Sequence, residues 1–104
     1  MKPATLPEPA RTAIDQTQGK LLIEFGASWC SHCQAAQAHL NTALSEHPDY
    51  QHIRIEDGKG RRLGRSFGIK LWPTLVILRD GVEISRVVRP QSAAEIQTAL
   101  RIAD

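Results

Sequence analysis

Between residues 21 and 33 the chain changes character within a few positions. Leu21-Leu22-Ile23-Glu24-Phe25 is almost wholly apolar, and Gly26-Ala27-Ser28-Trp29-Cys30-Ser31-His32-Cys33 follows at once. A short run of that kind predicts a strand covered on both faces. From Ser31 onward the period changes. Cys33, Ala36, Leu40 and Ala43 or Leu44 recur at helical spacing, while Gln34, Gln37, His39 and Asn41 can face water. That pattern predicts a helix from about Ser31 to Ser45. A buried strand that feeds directly into an amphipathic helix commits the chain to layers of helix packed on sheet.

The same junction holds both cysteines of the protein, two residues apart. Cys30 falls at the helix start, where free N–H groups stabilise a thiolate, and Cys33 lies one turn further in. Two thiols so placed read as a dithiol that closes to a disulfide and reopens. Half a zinc site has the same spacing, but the chain has no second cysteine pair to complete one.

The rest of the chain supplies the other layers. With 104 residues there is room for one core. Residues 1–9 hold three prolines and predict an extended lead-in, leaving 10–104 as a single domain. Pro9 is placed to open a helix with Ala10, Ala13, Ile14 and Thr17 on one face, ended by Gly19. Gln51 to Ile55 predicts a strand with Ile53 and Ile55 on one face. Asp57-Gly58-Lys59-Gly60 is a turn, followed by a short helix burying Leu63 and Phe67. Thr74 to Leu78 is a second apolar strand. Asp80-Gly81 turns it into Val82 to Val88. Ser92 and Glu95 form a capping box for a last helix carrying Ala93, Ile96, Leu100 and Ala103. This order predicts an α/β fold: a central mixed sheet of four or five strands with helices on both faces. A fifth strand has room only around Ala4 to Leu6.

Composition excludes several classes of function. The formal charge is +2, and no apolar run approaches the roughly 20 residues that span a bilayer. Lys59, Arg61, Arg62 and Arg65 are a short basic cluster without a nucleic-acid recognition motif or interleaved aromatics. They read as a solvated face able to steer an acidic protein partner. His39, His47 and His52 lack ligand spacing. A metal held by Cys30, Cys33 and His32 would need ligands from a second molecule, so no metal and no organic cofactor is expected. The lead-in lacks the apolar centre of a secretory signal. The cytoplasm is therefore the default compartment, and the periplasm applies if a leader has been removed.

At this point the chain resembles the thioredoxin family. The matching pieces are Glu24-Phe25, Ala27-Ser28-Trp29-Cys30-Ser31-His32-Cys33, Gly68-Ile69-Lys70-Leu71-Trp72-Pro73-Thr74 and the Asp80-Gly81 hairpin, in family order. The resemblance implies that Cys30 attacks, that Cys33 resolves, and that a cis Pro73 faces them across a groove. There are departures. Ser31-His32 stands where Gly-Pro is usual, Glu24 where the family has a buried aspartate, and Gly26 where an aromatic is common. Trp72 replaces a smaller aliphatic, and Arg89 falls where a late glycine shapes the groove.

Each candidate then has a role to be tested. His32 can stabilise the Cys30 thiolate and make the disulfide more oxidising; a histidine here also resembles periplasmic disulfide oxidases. Glu24 shares a strand face with Leu22 and, if buried under the dithiol, can pass protons to or from Cys33. Arg54 aligns with a family lysine that pairs with the buried acid. Trp29, Trp72, Pro73 and Thr74 would form the substrate groove, the backbone of Trp72 pairing with an extended segment. The expected activity is thiol–disulfide oxidoreduction on protein disulfides or dithiols, by a monomer served by an unidentified reductase or oxidant. The alternative is a non-enzymatic module that uses the groove to bind a partner protein or a soft metal ion.

Overall fold

In the computed structural model, which describes residues 8–104, the apolar run forms β1, Lys20–Gly26, and every residue from Leu21 to Gly26 is buried. Burial on both faces requires partners on both sides, and β1 has them. It pairs in parallel with β2, Gln51–Glu56, and antiparallel with β3, Thr74–Arg79. The parallel pair needs a crossover connection, and α2, Ser31–Ser45, supplies it. From β3 the chain turns at Asp80-Gly81 into β4, Val82–Val88. Both turn residues have positive φ, 51° and 82°, the geometry that matches strand twist in a two-residue hairpin. The sheet order is β2-β1-β3-β4, mixed as the sequence predicts, with four strands among the described residues. The Ala4 to Leu6 segment lies outside them.

The sheet separates two apolar clusters. On one face Leu22, Leu75 and Ile77 pack under α2 and α4, Ala93–Ile102, which contribute Leu40, Ala43, Ile96, Ala99 and Leu100. On the other, Leu21, Ile23, Phe25, Ile55, Val76 and Leu78 meet Ile14, Leu63 and Phe67 from α1, Arg11–Asp15, and α3, Arg62–Ser66. Phe25 and Phe67 stack tilted at 5.6 Å between ring centroids. Fully burying one such side chain is worth about 1.5–3 kcal/mol, so both faces hold the fold.

One boundary and one detail of a cap differ from the sequence expectation. The first helix is only Arg11–Asp15, capped at Gln16 rather than at Gly19, and buries only Ile14. One anchoring side chain cannot hold a longer amphipathic helix on the sheet. The capping box at α4 is asymmetric. Ser92 Oγ accepts the Glu95 N–H at 3.3 Å, but the Glu95 carboxylate accepts from Gln91 N–H, one residue before the cap.

Candidate active site

Cys30 is the N-cap of α2, and its sulfur accepts a hydrogen bond from the Cys33 backbone N–H at 3.2 Å. This is the helix-start donor that the sequence places there, and it favours negative charge on Cys30. Both cysteines are buried, with no disulfide between them. Cys33, like Cys30, is 6% exposed. Burial pushes the Cys33 thiol up to about 12, and its contact with Cys30 acts in the same direction. The two sulfurs therefore differ: one caps a helix, while the other is held as a thiol.

Opposite them the Trp72-Pro73 bond is cis, and the Cys30 sulfur lies 4.0 Å from the Trp72 carbonyl oxygen. Trp29 and Trp72 meet edge to face, 5.4 Å apart, and Trp29 is 75% exposed. They form an apolar rim beside the reactive sulfur. Thr74 does not line that rim. Its side chain is buried and donates to the Leu71 carbonyl at 2.6 Å, bracing the loop from behind.

Trp72 is held by residues that the sequence reading missed. Its indole Nε1–H donates to Asp57 Oδ2 at 2.9 Å. The Asp57 carboxylate occupies the space where a side chain on Gly64 would have to go, so Gly64 is small for a reason. The reactive loop is fixed on its other side by Glu56, whose carboxylate accepts the Ser28 N–H at 2.9 Å.

Glu24 is 2% exposed, on the α2 face of the central strand. The parallel register sets it opposite Arg54, whose Nε lies 3.4 Å from Glu24 Oε1. The register also brings in His52, two residues earlier on the same face, with Nε2 at 3.3 Å from the same oxygen. The other carboxylate oxygen accepts from Gln37 Nε2 at 2.6 Å. Gln37 therefore does not face water as its helical position predicts; it turns inward onto the acid. Glu24, Cys33, Gln37 and Arg54 line a cleft of about 260 Å³, with Gly26 and Glu56 at its wall. Gly26 makes that cleft possible. A Cβ built on it would stand 2.6 Å from the Cys33 sulfur.

His32 is exposed in the first turn of α2, and no hydrogen bond joins it to Cys30 among the described residues. The residues brought together are thus Cys30, Cys33, Trp29, Trp72 and Pro73 on the groove side, and Cys33, Glu24 and Arg54 within.

Residues 7–102 match the family model described as Thioredoxin. The chain belongs to the thioredoxin family. Among curated relatives, it is 28% identical over 78 residues to the mitochondrial Thioredoxin-3 of Saccharomyces cerevisiae, covering 75% of this chain and 61% of that protein. It is 30% identical to the Thioredoxin of Chlamydia muridarum, over 67% of this chain and 69% of the relative. Among solved structures, the reduced form of thioredoxin 2 from Pseudomonas aeruginosa PAO1 superposes with a TM-score of 0.84 at 54% identity. The match covers 95% of this chain and 93% of that one.

Proposed function

We propose that this thioredoxin-family chain is a thiol–disulfide oxidoreductase that acts on protein disulfides or dithiols through Cys30 and Cys33. The observation that carries the reading is the unequal pair: a helix-capping sulfur at the groove and a buried thiol one turn behind it. The 54% identity to a thioredoxin supports it.

In the reducing direction the Cys30 thiolate attacks one sulfur of a substrate disulfide. A bond forms between Cys30 and that sulfur, and the second substrate sulfur leaves as a thiolate that takes a proton from solvent. Cys33 then gives up its proton, and its sulfur attacks Cys30. The remaining substrate thiolate departs, leaving a Cys30–Cys33 disulfide. Two electrons have passed from the dithiol to the substrate. An unidentified dithiol reductase restores the pair, or an oxidant drives the sequence in reverse. The second step is the demanding one, because burial disfavours the thiolate of Cys33 that must form before its sulfur attacks. Glu24 is the base we assign to that proton, with the cleft beside Gly26 as its route outward and Arg54 as the cation that balances its charge. Trp29, Trp72 and Pro73 receive the extended substrate segment. His32 raises the reduction potential from the rim.

Reduction of insulin disulfides with a dithiol donor tests the reading. Turnover in the wild type and its absence in Cys30→Ser support it. No turnover, with a protein or soft metal ion retained through purification, would favour the binding-module alternative. Cys33→Ser then traps partners as mixed disulfides at Cys30.

A further inference from the structure

Arg89 adopts a left-handed backbone conformation, with φ of 49°, that favours glycine. Nothing in the β4–α4 turn itself requires an arginine. Strain retained at a groove points to function rather than to folding. Its backbone N–H donates to the Pro73 carbonyl at 2.9 Å, and its side-chain Nε donates to the Trp72 carbonyl at 2.8 Å. That carbonyl is also the oxygen that faces the Cys30 sulfur, at 4.0 Å. The guanidinium and the reactive thiol therefore meet at one atom. The Nε bond leaves the two Nη groups without a hydrogen-bond partner among the described residues. Arg89 lines a hollow together with His32, Ala35, His39, Pro90 and Gln91, and no carboxylate is among these lining residues.

The opposite flank of Trp72 has the same sign. Lys59, Arg61, Arg65 and Lys70 surround a second hollow. Its one carboxylate, Asp57, is engaged by the Trp72 indole. A segment laid across Trp72 thus has cations on both sides, and among the residues lining the two hollows Asp57 is the single carboxylate.

We propose that Arg89 is a specificity residue whose terminal Nη groups receive a carboxylate of the partner, an aspartate or glutamate within a residue or two of the target cysteine. This rests on the oxidoreductase reading and names the substrate class that the site prefers: acidic cysteine segments. A guanidinium held at its Nε presents a planar fork suited to a carboxylate.

The experiment compares disulfide-linked peptides that differ only in the residues flanking the cysteine: aspartate, asparagine or lysine. Turnover of the asparagine peptide by the wild type tests the oxidoreductase reading by itself. The ratio of kcat/KM for the aspartate peptide over the asparagine peptide tests Arg89. The expected wild-type ratio is about fivefold, the size of one partly exposed charge pair, and falls toward one in 1 M salt. Arg89→Gln and Arg89→Gly should both bring it close to one. The glycine variant suits the positive φ, so its result is free of backbone strain. A ratio unchanged in either variant, or an equal loss on all three peptides, overturns the proposal. So does an effect confined to glutathione disulfide, whose carboxylates are not part of a protein segment.

Discussion

The two cysteines sit three positions apart and have opposite surroundings. Cys30 looks outward onto indole rings, a cis proline and a guanidinium, with its sulfur capped by a backbone N–H. Cys33 looks inward onto Glu24, Arg54 and a narrow cleft. In the proposed mechanism the outer environment receives the partner segment and offers the Cys30 sulfur a backbone donor. The inner one holds a proton on sulfur and supplies a place for that proton to go. One helix turn is enough to separate these tasks, because the first turn of α2 lies across the end of β1.

The sharpest way to break this division is to remove the outer sulfur. Cys30→Ser should abolish insulin reduction, whereas Cys33→Ser should still form mixed disulfides and fail to release them. Gel analysis under non-reducing conditions distinguishes the two. If Cys33→Ser turns over normally, the assignment of roles is wrong. Next in size is Glu24→Gln. Loss of the inner base should slow the release step about a hundredfold near neutral pH, toward the lower end of what a positioned acid–base group contributes. The rate of the first attack should change far less. Single-turnover kinetics separates the two steps, and equal slowing of both would show that Glu24 acts on the whole site.

Gly26→Ala sharpens the steric side of the comparison. The added methyl collides with Cys33 and should cost roughly 1–3 kcal/mol of stability, as overpacking does. Urea unfolding measures it, and a neutral result would mean that the sulfur can move aside. The pH dependence of stability is a further check. The folded state raises the Cys33 thiol from 9.0 to about 12. Between those values the unfolded chain has lost a proton that the folded chain keeps. The contribution is therefore complete below pH 9 and is lost as pH rises toward 12. Cys33→Ser should show a shallower decline than wild type over that window. The smallest expected effect is on the outer side. His32→Pro should lower the reduction potential, by less than about 30 mV because the exposed ring is screened. Equilibration against glutathione reads it, and no change would make His32 a bystander.

Much of this is legible in the sequence. The buried strand, the bounds of α2, the hairpin and the burial of Glu24 follow from periodicity and from apolar runs. Those signals report which face of a single element is covered. The contacts around Glu24 were not legible, because they depend on how two elements register. His52 reaches the acid because β2 pairs in parallel with β1, and Gln37 because α2 is rotated to bury Leu40 and Ala36. The grip of Asp57 on Trp72 has the same origin. Nothing in the sequence around Gly64 announces the carboxylate that fills the space beside it. Arg89 was noticed as a departure from a glycine, but its reach to Trp72 lies in a torsion that the alphabet does not record.

Gly26 gives the molecule two entrances of unequal width. The groove at Trp72 is open along the exposed Trp29 indole, whereas the cleft beside Gly26, about 260 Å³, has room for solvent or a small reagent. A reagent's bulk, more than its reactivity, then decides which sulfur it finds first. Traffic of macromolecules and traffic of protons can proceed on opposite sides of the same disulfide without sharing a doorway.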